Sequence, residues 1–364
     1  MTHTGPEGHA LDAMRAVYGP FDQLTHDEAR TWVAPEKPGA GGHHGRYLWT
    51  DAFGVVNLVT LSVENSSAKY MTLAKRLVHT VHDILGRTRD GTARLEGATD
   101  EKPLDGGLRI GKTLDHGDDC DGQYHHYLTL WMFSLNRLSV AAREPKYNDL
   151  AIQLAKAIHP RFLIRRSSGH LSMVWKISMD MKTVLVPSEG HLDAATGYVI
   201  CRLLQDTAAR HGHGDDLLQK EIEDYSNIMG RKENIRPSGD PLDLGMGLWV
   251  SQIYPEDKWT RWFKGRALDM AGELLDEESP MIHRPASRRL AFREFGACLG
   301  IRCCDDTTPE LGSKVEAVLG FWEHHVSNGL EGDIRPISQV MYAAARNPGA
   351  FRIAFLDRLS TEHY

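Results

Sequence analysis

Two kinds of helical segment alternate along this chain, and from residue 48 onward the alternation recurs about six times. The first kind is amphipathic: Tyr147, Ala151, Leu154, Ala155 and Ile158 fall on one helical face, with Asp149, Gln153 and Lys156 opposite. Trp259, Phe263, Ala267, Met270, Ala271 and Leu274 repeat the stripe, as do Val315, Val318, Leu319, Trp322 and Val326, and Ala74, Leu77, Val78 and Val81. Such helices have one wet side and belong to an outer layer. The second kind is apolar nearly all round, as in Tyr127–Phe133, Leu244–Val250 and Ala52–Val56. A helix without a polar face must be covered on every side.

Taken as inner-outer pairs, the segments are 48–64 with 66–86, 121–142 with 146–160, 191–209 with 214–229, 241–254 with 257–277, and 287–303 with 309–327. A last inner segment starts near Ile337, and helices around 8–18 and 26–34 supply its outer partner. Six inner helices ringed by six outer ones predict an all-α fold, an (α/α)6 toroid formed as one domain over residues 1–364. Strand-like alternation occurs only around His170 to Val186, which predicts a small local β-hairpin. Loops at 87–120, 161–190 and 230–240 are long enough to wall one end of the ring.

Composition narrows the function classes. The 42 Lys and Arg against 49 Asp and Glu give a formal charge of −7, with no block of like charge, so nucleic acid is not an expected partner. No apolar run spans a bilayer, and Met1 to Met14 lacks the apolar core of a secretion signal; the expected location is cytoplasmic, without membrane association. Cys120, Cys201, Cys298, Cys303 and Cys304 form no CxxC pair and fall mostly in apolar segments, which predicts buried free thiols.

Polar clusters recur at the start of successive inner segments: Trp49 with Asp51; Asp121, Gln123, Tyr124, His125 and His126; His191 with Asp193; Asp240 with Asp243; and Arg289 with Glu294. Asp at a helix start is a preferred cap, so one such residue says little. Acidic clusters in register, accompanied by His, Tyr, Gln and Trp, predict a shared pocket. Helix N-termini there favour acidic side chains and anionic groups.

Carboxylates beside aromatic rings suit a carbohydrate: one acid protonates a glycosidic oxygen, one base activates water, and rings lie under sugar faces. Asp51, Asp121, Asp193 and Asp243 are the candidate carboxylates, with Asp121 expected as acid and Asp193 or Asp51 as its partner. Trp49, Tyr124, Trp131 and Trp175 are candidate platforms, and Gln123 and Arg289 candidate hydrogen-bonding groups. His125, His126 and His191, with His43 or His44, offer a proton shuttle instead. The run Gly106–Lys112 lacks the spacing of a phosphate loop, but Arg109 and Lys112 can close over the mouth and hold a carboxylate or sulfate. No metal or other cofactor is expected, since no clear third ligand accompanies the short His191-to-Asp193 step.

The inner segments resemble the six-hairpin glycosidase-like superfamily, through Leu48–Gly54, Gly107–Lys112, Asp121–Tyr124, Trp175–Asp180 and Arg289–Glu294. That superfamily includes unsaturated glucuronyl hydrolases, glycoside hydrolases and N-acylglucosamine 2-epimerases, and the resemblance implies the toroid and a sugar-active enzyme. Neither the paired aspartates of the hydrolases nor the paired histidines of the epimerases map onto these positions, so no catalytic residue carries over. The expected reaction is hydrolysis of a glycosidic or vinyl-ether bond of a short saccharide by a monomer or homodimer. The alternatives are an isomerase, epimerase, lyase or cyclase using histidine, including one acting on an apolar substrate such as a terpenoid, and a non-catalytic binding module.

Overall fold

The computed structural model describes residues 6–35, 46–114, 116–117, 119–165, 167, 169–231, 235–328 and 334–357. In chain order the elements are α1 (Pro6–Tyr18), α2 (His26–Thr31), α3 (Leu48–Glu64), α4 (Ala68–Leu85), β1 (Gln123–Tyr124), α5 (His125–Ala142), α6 (Lys146–Phe162), β2 (Leu163–Arg165) and β3 (Leu171–Met173). There follow β4 (Lys176–Ile177), β5 (Val184–Val186), α7 (Asp193–Arg210), α8 (Gln219–Arg231), α9 (Pro241–Ser251), α10 (Lys258–Leu274), α11 (Ala291–Cys303), α12 (Pro309–Asn328) and α13 (Arg335–Arg346). The chain divides into two compact units, Pro20–Glu233 and Met1–Gly19 with Asn234–Tyr364.

In the unit Pro20–Glu233, α3 packs on α4 and α5, α5 on α6 and α7, and α7 on α8. The segments without a polar face are the covered ones: α3 is buried from Leu48 through Thr60, whereas α4 buries only the stripe that includes Leu73, Ala74, Leu77, Val78 and Val81. Helix α2 starts at a capping box, in which Thr25 Oγ1 accepts the Glu28 N–H and the Glu28 carboxylate accepts the Thr25 N–H. It packs on α4, whereas α1 packs on α13 within the other unit.

Instead of one hairpin at 170–186, two small antiparallel sheets form. Strand β2 pairs with β3, and β4 lies between β1 and β5. The β1–β4 pairing sets Gln123 opposite Ile177 and Tyr124 opposite Lys176, which ties the start of α5 to the 161–190 segment.

In the other unit, α9 packs on α10 and α11, α11 on α12 and α13, and α13 on α1. Glycines decide the closest of these contacts. A Cβ on Gly245 would stand 1.9 Å from the Gly296 carbonyl oxygen, and one on Gly300 would stand 2.0 Å from that of Gly245. Helices α9 and α11 therefore meet backbone to backbone. All five cysteines are buried and none forms a disulfide. Among the described residues no helix is long and apolar enough to cross a membrane.

Candidate active site

Within the unit Pro20–Glu233 the first turns of α3, α5 and α7 meet. Helix α5 can begin only where β1 ends, and the His125 N–H donates to the Trp175 carbonyl at 3.0 Å, fixing the entry of the chain. Asp193 is the first residue of α7, where the unpaired N–H groups and the helix dipole favour its negative charge. Its Oδ1 lies 3.6 Å from Nδ1 of His125 and 3.6 Å from Nδ1 of His126. Burial pushes the Asp193 carboxyl up, but the two imidazoles outweigh it together and hold the group below the usual carboxylate range. The side chains of His125 and Asp193 are 0% and 4% exposed and that of His126 is 37% exposed, so His126 is the member of this trio that solvent or a substrate reaches.

Aromatic rings surround His126. Trp49 from the first turn of α3 stands 5.8 Å from it and Trp175 stands 5.9 Å away. Tyr124 lies edge-on to Trp175 at 5.0 Å and to Tyr127 at 5.2 Å. The buried Lys176 ammonium sits 5.3 Å from the Tyr124 ring centre, and Trp175 Nε1 donates to Ser188 Oγ at 3.1 Å. A half-exposed imidazole in an aromatic frame is a setting in which an apolar sugar face can stack while its hydroxyls meet a proton carrier.

Other expected site residues are given over to holding the loop before α5. Asp121 Oδ1 accepts the N–H groups of Gly111, Lys112 and Gly122 at 3.0, 3.2 and 3.0 Å, and its Oδ2 accepts from Arg109 Nη1 at 3.1 Å. Both oxygens of Asp121 thus face donors, whereas the role of acid expected for it needs a proton presented to substrate. Arg109 also donates to the carbonyls of Arg87 and Ile84, so its guanidinium braces this loop. Gln123 is fully buried; it accepts from the Leu108 N–H and donates to the carbonyls of Gly106 and Met179. Lys112 pairs with Asp119 beside the same loop. Asp51 and Arg46 form an ion pair with both side chains fully buried, Nε to Oδ1 2.8 Å, which takes Asp51 out of reach of a substrate.

His191 is exposed on the segment preceding α7. Trp131 is buried in α5 and donates to His82 Nε2 at 3.1 Å, a core contact and not a platform. His43 and His44 lie outside the described residues. In the other unit, Asp243 is half-buried in the first turn of α9, which Asp240 caps by accepting the Leu242 and Asp243 N–H groups at 2.9 and 3.2 Å. Arg289 there forms a buried pair with Glu294, whose Oε2 also accepts from Trp322 Nε1 at 2.7 Å; the guanidinium lies 4.1 Å from the Phe321 ring centre. That pairing uses Arg289 for packing. Among the described residues no group of three or more His, Cys, Asp or Glu side chains is placed to hold a metal ion.

The sequence pattern assigns no role at the site to Arg46, Lys176 or Tyr225. Tyr225 belongs to the apolar stripe of an outer helix with Ile222 and Ile228, so its hydroxyl carried no signal in the pattern.

No protein-family model matches the chain, and no curated sequence does. Solved structures do. A family 76 glycoside hydrolase from a bovine Bacteroides thetaiotaomicron strain superposes with a TM-score of 0.58 at 12% identity, over 94% of this chain and 76% of that one. Cellobiose 2-epimerase from Spirochaeta thermophila gives 0.56 at 11% identity, over 97% of each chain. An inactive variant of the α-1,6-mannanase of Salegentibacter sp., in complex with α-1,6-mannotriose, gives 0.56 at 8% identity, over 94% of this chain and 98% of that one. The chain has their (α/α)6 fold. It is the fold of the six-hairpin glycosidase-like proteins, and it serves hydrolases and epimerases alike.

Proposed function

We propose that this chain is a sugar-active enzyme that moves a proton at a sugar carbon, an isomerase or epimerase in which His126 is the proton carrier and Asp193 stabilises its charged form. The observation that carries the reading is the position of Asp193 Oδ1, 3.6 Å from Nδ1 of both imidazoles, with His126 the one that is half exposed. A carboxylate on one ring nitrogen leaves the other to take a proton from substrate. In a ring-opened aldose, His126 would remove the proton next to the aldehyde carbon, and the electron pair would pass to the carbonyl oxygen to give an enediolate. Return of the proton to the former aldehyde carbon, with the neighbouring hydroxyl passing its proton to the enediolate oxygen as the new carbonyl forms, yields the ketose, and return to the same carbon on its other face yields the epimer. A single imidazole suffices for the first outcome. Trp175, the partly exposed ring beside His126, is the one on which the sugar would rest, with the buried Trp49 and Tyr124 rings backing it.

Hydrolysis, the reaction expected from the spacing of the aspartates, requires one carboxyl to donate and a second to act as base or nucleophile. Asp121 is surrounded by N–H donors and Asp51 by the Arg46 pair, which weighs against that reaction in this unit. The similarity to cellobiose 2-epimerase supports the proton-moving reading, and the mannotriose held by the Salegentibacter protein supports a saccharide ligand.

The test is incubation with reducing mono- and disaccharides in deuterium oxide, followed by proton NMR, with α-1,6-mannotriose as a parallel hydrolysis substrate. Deuterium entering the sugar beside its anomeric carbon, without cleavage of the glycosidic bond, and loss of that exchange in His126→Gln are the expected results. Release of new reducing ends by both the wild type and His126→Gln, with no exchange, would overturn the proposal.

A further inference from the structure

The His126–Asp193–His125 set continues inward. His125 Nε2 lies 2.8 Å from the Tyr225 hydroxyl, and both side chains are buried. The His125 ring is wedged between Phe162, 5.3 Å away, and the Tyr225 ring, 5.6 Å away. We infer that Tyr225 is a positioning residue: its hydroxyl donates to Nε2 of His125 and so fixes that imidazole with its proton on Nδ1, facing Asp193. For its effect on turnover the inference rests on the proton-moving function proposed above; its geometry does not.

The direction of the hydrogen bond follows from what surrounds the two rings. Asp193 stands on the Nδ1 side of His125, and a carboxylate there draws the proton to Nδ1 and leaves a lone pair on Nε2. Tyr225 itself is buried, with Asp193 and Cys201 of α7, Glu221 and Asp224 of α8 and the His159 ring of α6 around it. Burial first, and then these acidic neighbours, hold the phenol as O–H well above its ordinary range. The one arrangement that satisfies both groups is O–H to Nε2. His159 in turn is committed elsewhere, with Nε2 3.0 Å from Asp224 Oδ2, which also receives Lys220 at 2.9 Å.

The backbone is shaped for this contact. A Cβ on Gly197, one turn after Asp193 in α7, would stand 2.6 Å from Cζ of Tyr225. Any side chain there would push the phenol off His125. The residue that keeps the bond short thus lies on the same helix as the carboxylate that orients the other nitrogen.

Tyr225→Phe removes the hydroxyl and keeps the ring. The test uses the full chain with isotope-labelled histidine, long-range nitrogen–proton NMR near neutral pH, and His125→Gln to identify the His125 signals. In the wild type, Nδ1 of His125 should appear protonated and Nε2 unprotonated; in Tyr225→Phe both should move toward averaged values. On the sugar that exchanges, kcat should fall at least about tenfold with KM within about twofold. An unchanged His125 pattern in Tyr225→Phe, or a wild-type proton on Nε2, would overturn the inference. A changed pattern in a protein that exchanges no sugar proton upholds Tyr225 as a positioning group and removes the proposed function. If Tyr225→Phe fails to fold, Gly197→Ala displaces the same ring; averaged His125 signals are expected from it, and an unaltered pattern overturns the inference.

Discussion

Arg46 and Asp51 meet through Nε and Oδ1 at 2.8 Å with both side chains wholly buried, so the first turn of α3 carries an ion pair where its spacing suggested a reactive carboxylate. Taking two charges out of water costs several kcal/mol each, and their mutual attraction offsets it. Removing one partner takes that attraction away from a charge that stays buried. Asp51→Ala and Arg46→Ala should each lower stability by about 3–5 kcal/mol, measured by urea unfolding of the full chain. The double variant should cost less than the sum of the two; full additivity would mean that the pair does not act as a unit.

The loop before α5 depends on a position without a side chain. Gly107 has φ +71°, and a Cβ there would stand 1.9 Å from Gln123 Oε1. Gly107→Ala carries backbone strain of about 1–3 kcal/mol and displaces the amide that holds Leu108, Gly106 and Met179. Gln123→Ala opens the space that the added methyl needs. The combined variant should therefore be destabilised by less than the two single losses added, as read from urea midpoints.

His82 gives stability a pH dependence of known sign. Burial, and to a lesser degree the neighbouring His79, lowers its pKa to about 3, and its Nε2 accepts the Trp131 indole N–H. In the unfolded chain the same imidazole titrates near about 6.5. The unfolded state therefore binds more protons between these values, and His82's contribution, complete above the upper one, declines as pH falls toward the lower. Gln at position 82 keeps an acceptor and cannot titrate. The loss of unfolding midpoint between neutral and mildly acid pH should be smaller in His82→Gln than in the wild type; equal losses would show that His82 is not the group responsible.

The helical order was readable because apolar periodicity reports burial directly: the segment predicted at 48–64 is Leu48–Glu64, and Lys146–Phe162 begins at the residue expected. The start of α5 was not, since β1 forms through pairing with residues 176–177, a contact invisible in local sequence, and α11 starts at Ala291 only after a separate short turn at Ala286–Arg288. The clustering of the candidate residues was legible in part. Asp193, His126, Trp49, Tyr124 and Trp175 do come together, because position at the first turn of an inner helix carries spatial meaning. Which carboxylate is consumed by its neighbours was not legible: Asp121 and Asp193 look alike in sequence, and only the three N–H groups and Arg109 around the former separate them. Tyr225 lay hidden for the opposite reason, since a tyrosine in an apolar stripe signals packing whether or not its hydroxyl has a task.

That difference between two buried aspartates can be measured. Asp121→Asn keeps the shape but puts an amide where donors converge from Gly111, Lys112, Gly122 and Arg109, so at least one of those contacts is lost. A buried hydrogen bond to a charged group contributes about 1.5–3 kcal/mol. Stability should drop by about that much, amide hydrogen exchange at Gly111 and Lys112 should speed up, and kcat of the folded protein should stay within about threefold of wild type. Asp193→Asn removes instead the charge that supports a protonated imidazole while the Asp121 loop remains intact. Its kcat for sugar proton exchange should fall about 100-fold, the lower range for loss of support to a general base, with exchange at Gly111 and Lys112 unchanged. The opposite pattern, with turnover lost in Asp121→Asn and kept in Asp193→Asn, would return the chemistry to the carboxylate that the spacing of the sequence first indicated.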